Sequence, residues 1–314
     1  MTNRYQCKKR FSAIFSILLI TLTFILTMLF SDKISHSVKS GLSLCANVII
    51  PSVFPFMILS DFLYAYIDFS SLNHIGNLFE KTFKINRIGL YPFLLGMLCG
   101  FPLGVKCTAQ LYKTGSISKD EAERLIGFSN NTGPAFLVCG IGLGLRASIS
   151  EGFILYIFMM LSALAVGIIF SFGKKASGNS ANEKETTDFS ITDSIKNAGI
   201  NTLNICSYLT FFACVVGLLR GTIGENTFYL LSIPFLEVGS ATSILSKTLL
   251  LSNTESLILS AFAVGFSGFS VHLQALSFIS NTDISPKRYF IMKFIQGILC
   301  AAGVAAAYAL FPFL

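Results

Sequence analysis

The sequence predicts an all-α fold, a polytopic transmembrane helical bundle built from two pseudo-symmetric repeats with broken or re-entrant helices. Three observations predict it. The 314 residues are 53% hydrophobic and only 12% charged, with a mean hydropathy of +0.69, whereas soluble domains carry about a quarter charged residues. Nine apolar segments follow one another, over 11–30, 41–66, 88–112, 122–145, 151–172, 195–220, 228–250, 256–280 and 289–312, several of them longer than the ~20 residues needed to cross a bilayer. Glycine and proline interrupt some of these segments near their middles. In hydrocarbon every main-chain N–H and C=O needs an internal partner, so unwound backbone persists only where protein or a watery cavity covers it.

The first segment follows Arg4, Lys8, Lys9 and Arg10. Its apolar run is longer than that of a secretory leader, and Ser31–His36 offers no small-x-small cleavage pattern. Residues 1–40 therefore read as a basic tail and a retained first span with its basic end in the cytoplasm. A first repeat is expected over 41–172 and a second over 195–314, joined by a polar linker at 173–194 that contains Lys174, Lys175, Ser177, Gly178, Glu183 and Glu185. The halves resemble each other weakly. Gly100-Phe101, Gln110 and Ile117-Ser118 parallel Gly265-Phe266, Gln274 and Ile284-Ser285, and Ile50-Pro51 parallels Ile233-Pro234. If 88–112 is a hairpin turning at Gly100–Gly104, Lys81, Lys84 and Arg87 share the cytoplasmic side with Lys113, Lys119 and Arg124, as the positive-inside rule favours.

The interruptions are where chemistry is expected. Gly100, Phe101, Pro102 and Gly104 form a tight turn whose following helix presents free N–H groups, with Lys106 in its first turn, a combination suited to a carboxylate or phosphate. The competing reading is a kinked helix with Lys106 snorkelling to the interface. Ser129, Asn130, Asn131, Thr132 and Gly133, with Pro134, place four polar side chains and a helix break inside an apolar run, as substrate contacts or as interhelical hydrogen bonds. In the second half Glu237, Gly239, Ser240 and Thr242 form the counterpart, with Glu237 the nominee for a coupling proton or for neutralising Lys106. Gly265, Ser267 and Gly268 mark a third break, and His272 follows it as a site or a structural histidine. Asp61 reads as interfacial.

Other classes are excluded or disfavoured. The net charge of +7 is the excess of Lys and Arg in cytoplasmic loops, not a nucleic-acid surface. The eight cysteines form no Cys-x-x-Cys pair and read as small core residues. No metallohydrolase, phosphate-loop or nucleophile-elbow motif occurs, so the chain is not expected to be an enzyme or to hold a metal or cofactor. Gly140, Gly142 and Gly144 read as a close helix-packing face. Paired halves with interrupted segments point to a secondary transporter. The partners this implies are a small anionic substrate, the bilayer, a coupling proton or sodium ion, and a second copy of the chain.

Gly100–Lys106, Lys119–Leu125 and Ser129–Asn131, with the earlier Pro51–Phe56, resemble the YlbJ family of sporulation integral membrane proteins. That family belongs to the nucleoside-recognition Gate group, which is similar to concentrative nucleoside transporters. The resemblance implies movement of dipicolinic acid, an aromatic dicarboxylate, toward the developing spore across a membrane around the forespore. The alternatives are a nucleoside transporter and a non-transporting component of spore envelope assembly.

Overall fold

The computed structural model describes residues 17, 18, 20–66, 73–176 and 190–311, and all regular structure among them is helical. The basic N-terminal tail and most of the polar linker lie outside the described residues. Helix α1 (Ile20–Leu29) leads into α2 (Ser31–Leu44), a π-helical turn (Cys45–Ile49) and α3 (Ile50–Tyr66). The chain bends by 43° between Ser31–Ile49 and Val53–Leu63, where Pro51 and Pro55 deny the backbone its usual donors. Helix α4 (Asn73–Phe83) follows.

From there the elements come in one order twice. Helices α5 (Leu90–Leu98) and α6 (Leu103–Lys113) fold against each other as a hairpin. Helix α7 (Lys119–Ser129), an unwound stretch at 130–134 and a π-helical segment (Ala135–Leu145) make a broken span, and α8 (Ile149–Ile169) runs beside both of its parts. After α9 (Ile191–Ile223), α10 (Thr227–Leu236) and α11 (Val238–Leu245) form a second hairpin. Helices α12 (Asn253–Phe266) and α13 (Gly268–Ile279) form a second broken span, and α14 (Pro286–Leu310) packs along it. Among the described residues, Ile149–Ile169, Ile191–Ile223, Asn253–Ile279 and Pro286–Leu310 are each long and apolar enough to cross a membrane. The segments 88–112 and 228–250 fold back instead. Eleven helical residues rise about 16 Å, half of a ~30 Å hydrocarbon core, so such a hairpin reaches only the middle.

Polar contacts fix which ends lie together. The Arg124 guanidinium donates to the carbonyls of Phe83 (2.6 Å) and Lys84 (2.7 Å) and to Ser171 Oγ (3.2 Å). Asp120 accepts from Arg288 (2.7 Å) and Lys174 (3.1 Å). The entry to α5, the start of α7, the end of α8 and the start of α14 therefore share one end, rich in lysine and arginine. The hairpin topology favoured by charge is the one observed. At the opposite end Arg146 bonds Glu151, Asn253 Oδ1 (2.6 Å) and Ser256 Oγ (3.1 Å), joining the start of α8 to the start of α12. The first hairpin opens from the basic end and the second from the opposite end, so the two sets of elements are inverted relative to each other.

This order pairs the α5–α6 tip with the tip at Glu237, and the 130–134 break with Ser267. The sequence parallel pairs Gly100 with Gly265 instead, because both are Gly-Phe, although Gly265 lies in the last turn of α12. Helix α9 begins at Ile191, with Ser190 Oγ accepting from Asp193 N (3.2 Å), so the helix starts inside the stretch expected as linker. Several other helix starts at the polar ends carry such caps. Ser118 and Glu121 form a capping box on α7, Ser252 and Glu255 another on α12, and Ser148 and Asn226 cap α8 and α10.

The first hairpin seats on the first break main chain to main chain. A Cβ on Gly96 or Gly104 would collide with the Ser129 carbonyl, and one on Gly100 (φ +87°) would strike Gly133 N. The Gly104→Ala variant is expected to lose about 1–3 kcal/mol, whereas Gly199→Ala, with nothing within 4 Å of the added methyl, is expected to be neutral or stabilising. Thermal unfolding in detergent checks both.

Candidate functional site

Four chain interruptions meet inside the bundle: the tip at 99–102, the break at 130–134, the tip at Glu237 and the break at Ser267. Each tip sits on the neighbouring break. Gly133 approaches the carbonyl of Cys99, and Gly268 (φ +71°) approaches the carbonyl of Leu236. Ser267 itself has φ +75°, a left-handed conformation that side chains rarely take. Two inward helix starts, α6 and α13, have no side-chain cap, so their N–H groups carry partial positive charge toward the interior. The third, α11, is capped by Glu237, whose carboxylate accepts from Gly239 N (2.8 Å) and Ser240 N.

The densest polar cluster lies where the first break crosses α14. Lys293 is fully buried. Its ammonium donates to Gln296 Oε1 (2.8 Å), the Asn130 carbonyl (3.0 Å) and Asn131 Oδ1 (3.4 Å). Gln296 Nε2 donates to Asn131 Oδ1 (2.8 Å), and Asn130 Nδ2 donates to the Tyr289 hydroxyl (2.9 Å). That hydroxyl lies 3.0 Å from His272 Nδ1. Every acceptor of Lys293 is neutral. The Asn130 carbonyl is the C-cap of α7, so the negative end of that helix offsets about half a charge at most. Within the cluster Asn130 Oδ1 and His272 Nε2 are buried without a hydrogen-bond partner, as are Ser129 Oγ, Thr132 Oγ1 and Gln274 Oε1 elsewhere in the interior, which leaves donors and acceptors for a guest.

Beside the first break a cleft of about 360 Å³ is lined by Ile49, Val53 and Phe56, by Leu98–Phe101 and by Thr132, Gly133, Ala135 and Phe136. Gly100, Phe101, Thr132 and Gly133, expected at a site, thus meet on one apolar wall. Asn130, Asn131 and His272 join the Lys293 cluster, and Ser129 borders it.

Other expected residues serve elsewhere. Lys106, expected to meet an anion, bonds Asp61 at 2.7 Å, with 16% and 24% of the two side chains exposed. Its counter-charge is therefore Asp61 and not Glu237. Glu237 caps α11, and Gly239 and Ser240 supply the N–H groups it accepts from. Thr242 bonds back to the carbonyls of Val238 (2.8 Å) and Gly239 (3.1 Å), Ser267 to that of Val264 (3.3 Å). Gly265 lets α14 approach at the Gln296 carbonyl, and Gly104 admits Ser129. Pro102 precedes α6 and Gly268 opens α13. Gly142 meets Gly152 Cα, close helix packing as expected.

Lys293, Gln296 and Tyr289 were not anticipated. Their signal was present, since Lys293 stands inside the apolar run 289–312, where an ionisable residue marks function by default.

A sporulation integral membrane protein, YlbJ of Bacillus subtilis (strain 168), is 30% identical over 311 residues, covering 85% of this chain and 75% of that protein. No family model matches the chain. No solved structure matches it.

At the basic end, outside the spans, burial disfavours charge on Asp120, but hydrogen bonds from Arg288 and Lys174 and the Arg124 charge outweigh it and hold its pKa down to about 2. A carboxylate depressed by folding contributes stability above its unfolded pKa of about 4, and loses it as pH falls toward 2. Asp120→Asn is therefore expected to be less stable than the wild type at pH 7, the gap closing between about pH 4 and 2. Thermal midpoints across that range measure it.

Proposed function

The chain belongs to the YlbJ family of sporulation integral membrane proteins, and from that membership we propose that it is a secondary transporter of a small organic anion rather than an enzyme. The observation that carries the reading is the buried Lys293, held by neutral acceptors beside two broken spans. An unpaired cation inside a bilayer is costly, about 3 kcal/mol on insertion scales, and marks an ion or substrate path by default. A carboxylate arriving with the substrate supplies the missing counter-charge, with the inward starts of α6 and α13 and the amides of Asn130 and Asn131 around it.

The arrangement has the parts that alternating access needs: two inverted sets of elements, each with a hairpin tip resting on a broken span. The lysine- and arginine-rich end faces the cytoplasm under the positive-inside rule. Dipicolinic acid is the substrate we infer, its flat ring suited to the apolar wall around Phe101 and Phe136. A membrane surrounding the forespore is the inferred location.

Uptake into proteoliposomes across a panel of aromatic dicarboxylates and nucleosides, with a proton or sodium gradient imposed, tests the reading. Lys293→Met is expected to lower anion uptake at least about 30-fold, the scale of a charge-assisted hydrogen bond of about 2 kcal/mol, at unchanged protein abundance. Uptake of nucleosides alone, or none by a correctly inserted protein, defeats it.

A further inference from the structure

The surroundings of Lys293 bear on what drives transport. The acids of the helices packed against α14 all sit at the polar ends with partners of their own. On α7, Asp120 and Glu123 meet Arg288, and Glu121 caps its own helix. On α8, Glu151 pairs with Arg146; on α12, Glu255 caps the helix start. The cations of α7 are held at the basic end, Arg124 by Asp120 and two carbonyls and Lys119 by Asp283. What remains around the ammonium is uncharged or a neutral titratable group: His272 from α13, and Tyr289 and Cys300 on α14 itself. Lys293 lies seven residues, about 10 Å, along α14 from Pro286, and is linked through the Asn130 residue and Tyr289 to the second buried base, His272.

Resting on the transport reading, we propose that Lys293 carries the coupling proton and binds it together with the substrate anion, making the protein a proton–anion symporter. The proton adds to the Nζ lone pair from water on one side and returns to water on the other; no other bond changes. With both absent, the neutral amine keeps its two N–H groups for Gln296 Oε1 (2.8 Å) and the Asn130 carbonyl (3.0 Å), and with both present the Lys293–anion pair adds no net charge for a monoanion. A bare ammonium, or an anion facing a neutral amine, leaves an uncompensated charge in low dielectric. Each partner therefore raises the affinity for the other by the same factor, as linkage requires. A dicarboxylate keeps one net negative charge on the loaded site, so its transport is electrogenic. The role of proton carrier expected of Glu237 passes to Lys293, since both Glu237 oxygens are engaged in capping α11.

The test uses the full chain in proteoliposomes enclosing a pH-sensitive dye, with dipicolinate as the probe in choline or sodium buffer. Inward proton movement is expected with dipicolinate uptake, at a fixed ratio and equally in both buffers. Arginine keeps its proton, so Lys293→Arg is expected to lose accumulation driven by a pH gradient, and any dipicolinate counterflow it retains is expected to move no protons. In the wild type, counterflow without proton movement, or dependent on sodium, overturns the proton assignment and leaves transport standing; absence of counterflow overturns both. Should the variant fail to insert, calorimetry of dipicolinate binding to the wild type in two buffers of different ionisation enthalpy decides. Proton uptake on binding supports the assignment, and none overturns it.

Discussion

The unwound main chain at 130–134 is the constraint on which the interior depends. Helix α7 ends there, inside the bundle, so its last carbonyls have no intrahelical partner. In hydrocarbon that cannot be left to water. Lys293 answers part of the demand by donating to the Asn130 carbonyl, and the approach of Gly96 and Gly104 to the Ser129 carbonyl packs the hairpin over the same stretch. The break thus fixes the position of a cation that no carboxylate neutralises and also fixes where the first hairpin seats. Lys293 without the break would have no reason to be buried, and the break without Lys293 would leave a carbonyl orphaned.

The second half meets the same constraint with different chemistry. Its break is two consecutive residues of positive φ, Ser267 and Gly268, and its hairpin tip is closed by a carboxylate, Glu237, capping α11. The first half has an uncapped helix start at α6 and a cation nearby; the second has a capped start at α11 and an uncapped one at α13. The inverted elements are therefore alike in architecture and unlike in electrostatics. Positive character is concentrated around the first break and the start of α13, and Glu237, the acid at the second tip, is already engaged by backbone N–H groups.

How much was legible in the sequence follows from what each signal measures. Helicity and membrane character were legible because composition and run length report them directly. The hairpin at 88–112 was legible because charge on both flanks contradicts a full crossing. The breaks at 100–104 and 129–134 were legible because Gly and Pro act locally on the backbone. Partner choice was not. Lys106 reads as a lone cation only until the fold brings Asp61, forty-five residues earlier, to 2.7 Å. Glu237 reads as a buried acid needing a proton until the turn places two N–H groups against it. Lys293 went unremarked because the apolar run around it satisfies a span without comment. Pairing the repeats by Gly-Phe misaligned them, because a tip and a break are equivalent by position in the chain's path, not by residue type.

The polar contacts of the bundle differ in how readily they exchange. Asp120 ties α7 to α14 through Arg288 at one end, and Arg146 ties the π-helical segment to α12 through Asn253 at the other. Both contacts join the two inverted sets of elements; the Arg288 and Asp120 side chains are 30% and 41% exposed, whereas the Arg146 side chain is buried. Exposed ion pairs contribute about 0–1 kcal/mol each, because water replaces a lost partner at little cost. Around Lys293, which is fully buried, losing one acceptor leaves a buried donor at about 1–3 kcal/mol. The Asp120–Arg288 contact at the basic end is therefore the more readily exchanged link between the two sets of elements, and the buried Arg146 and Lys293 clusters are the firmer ones.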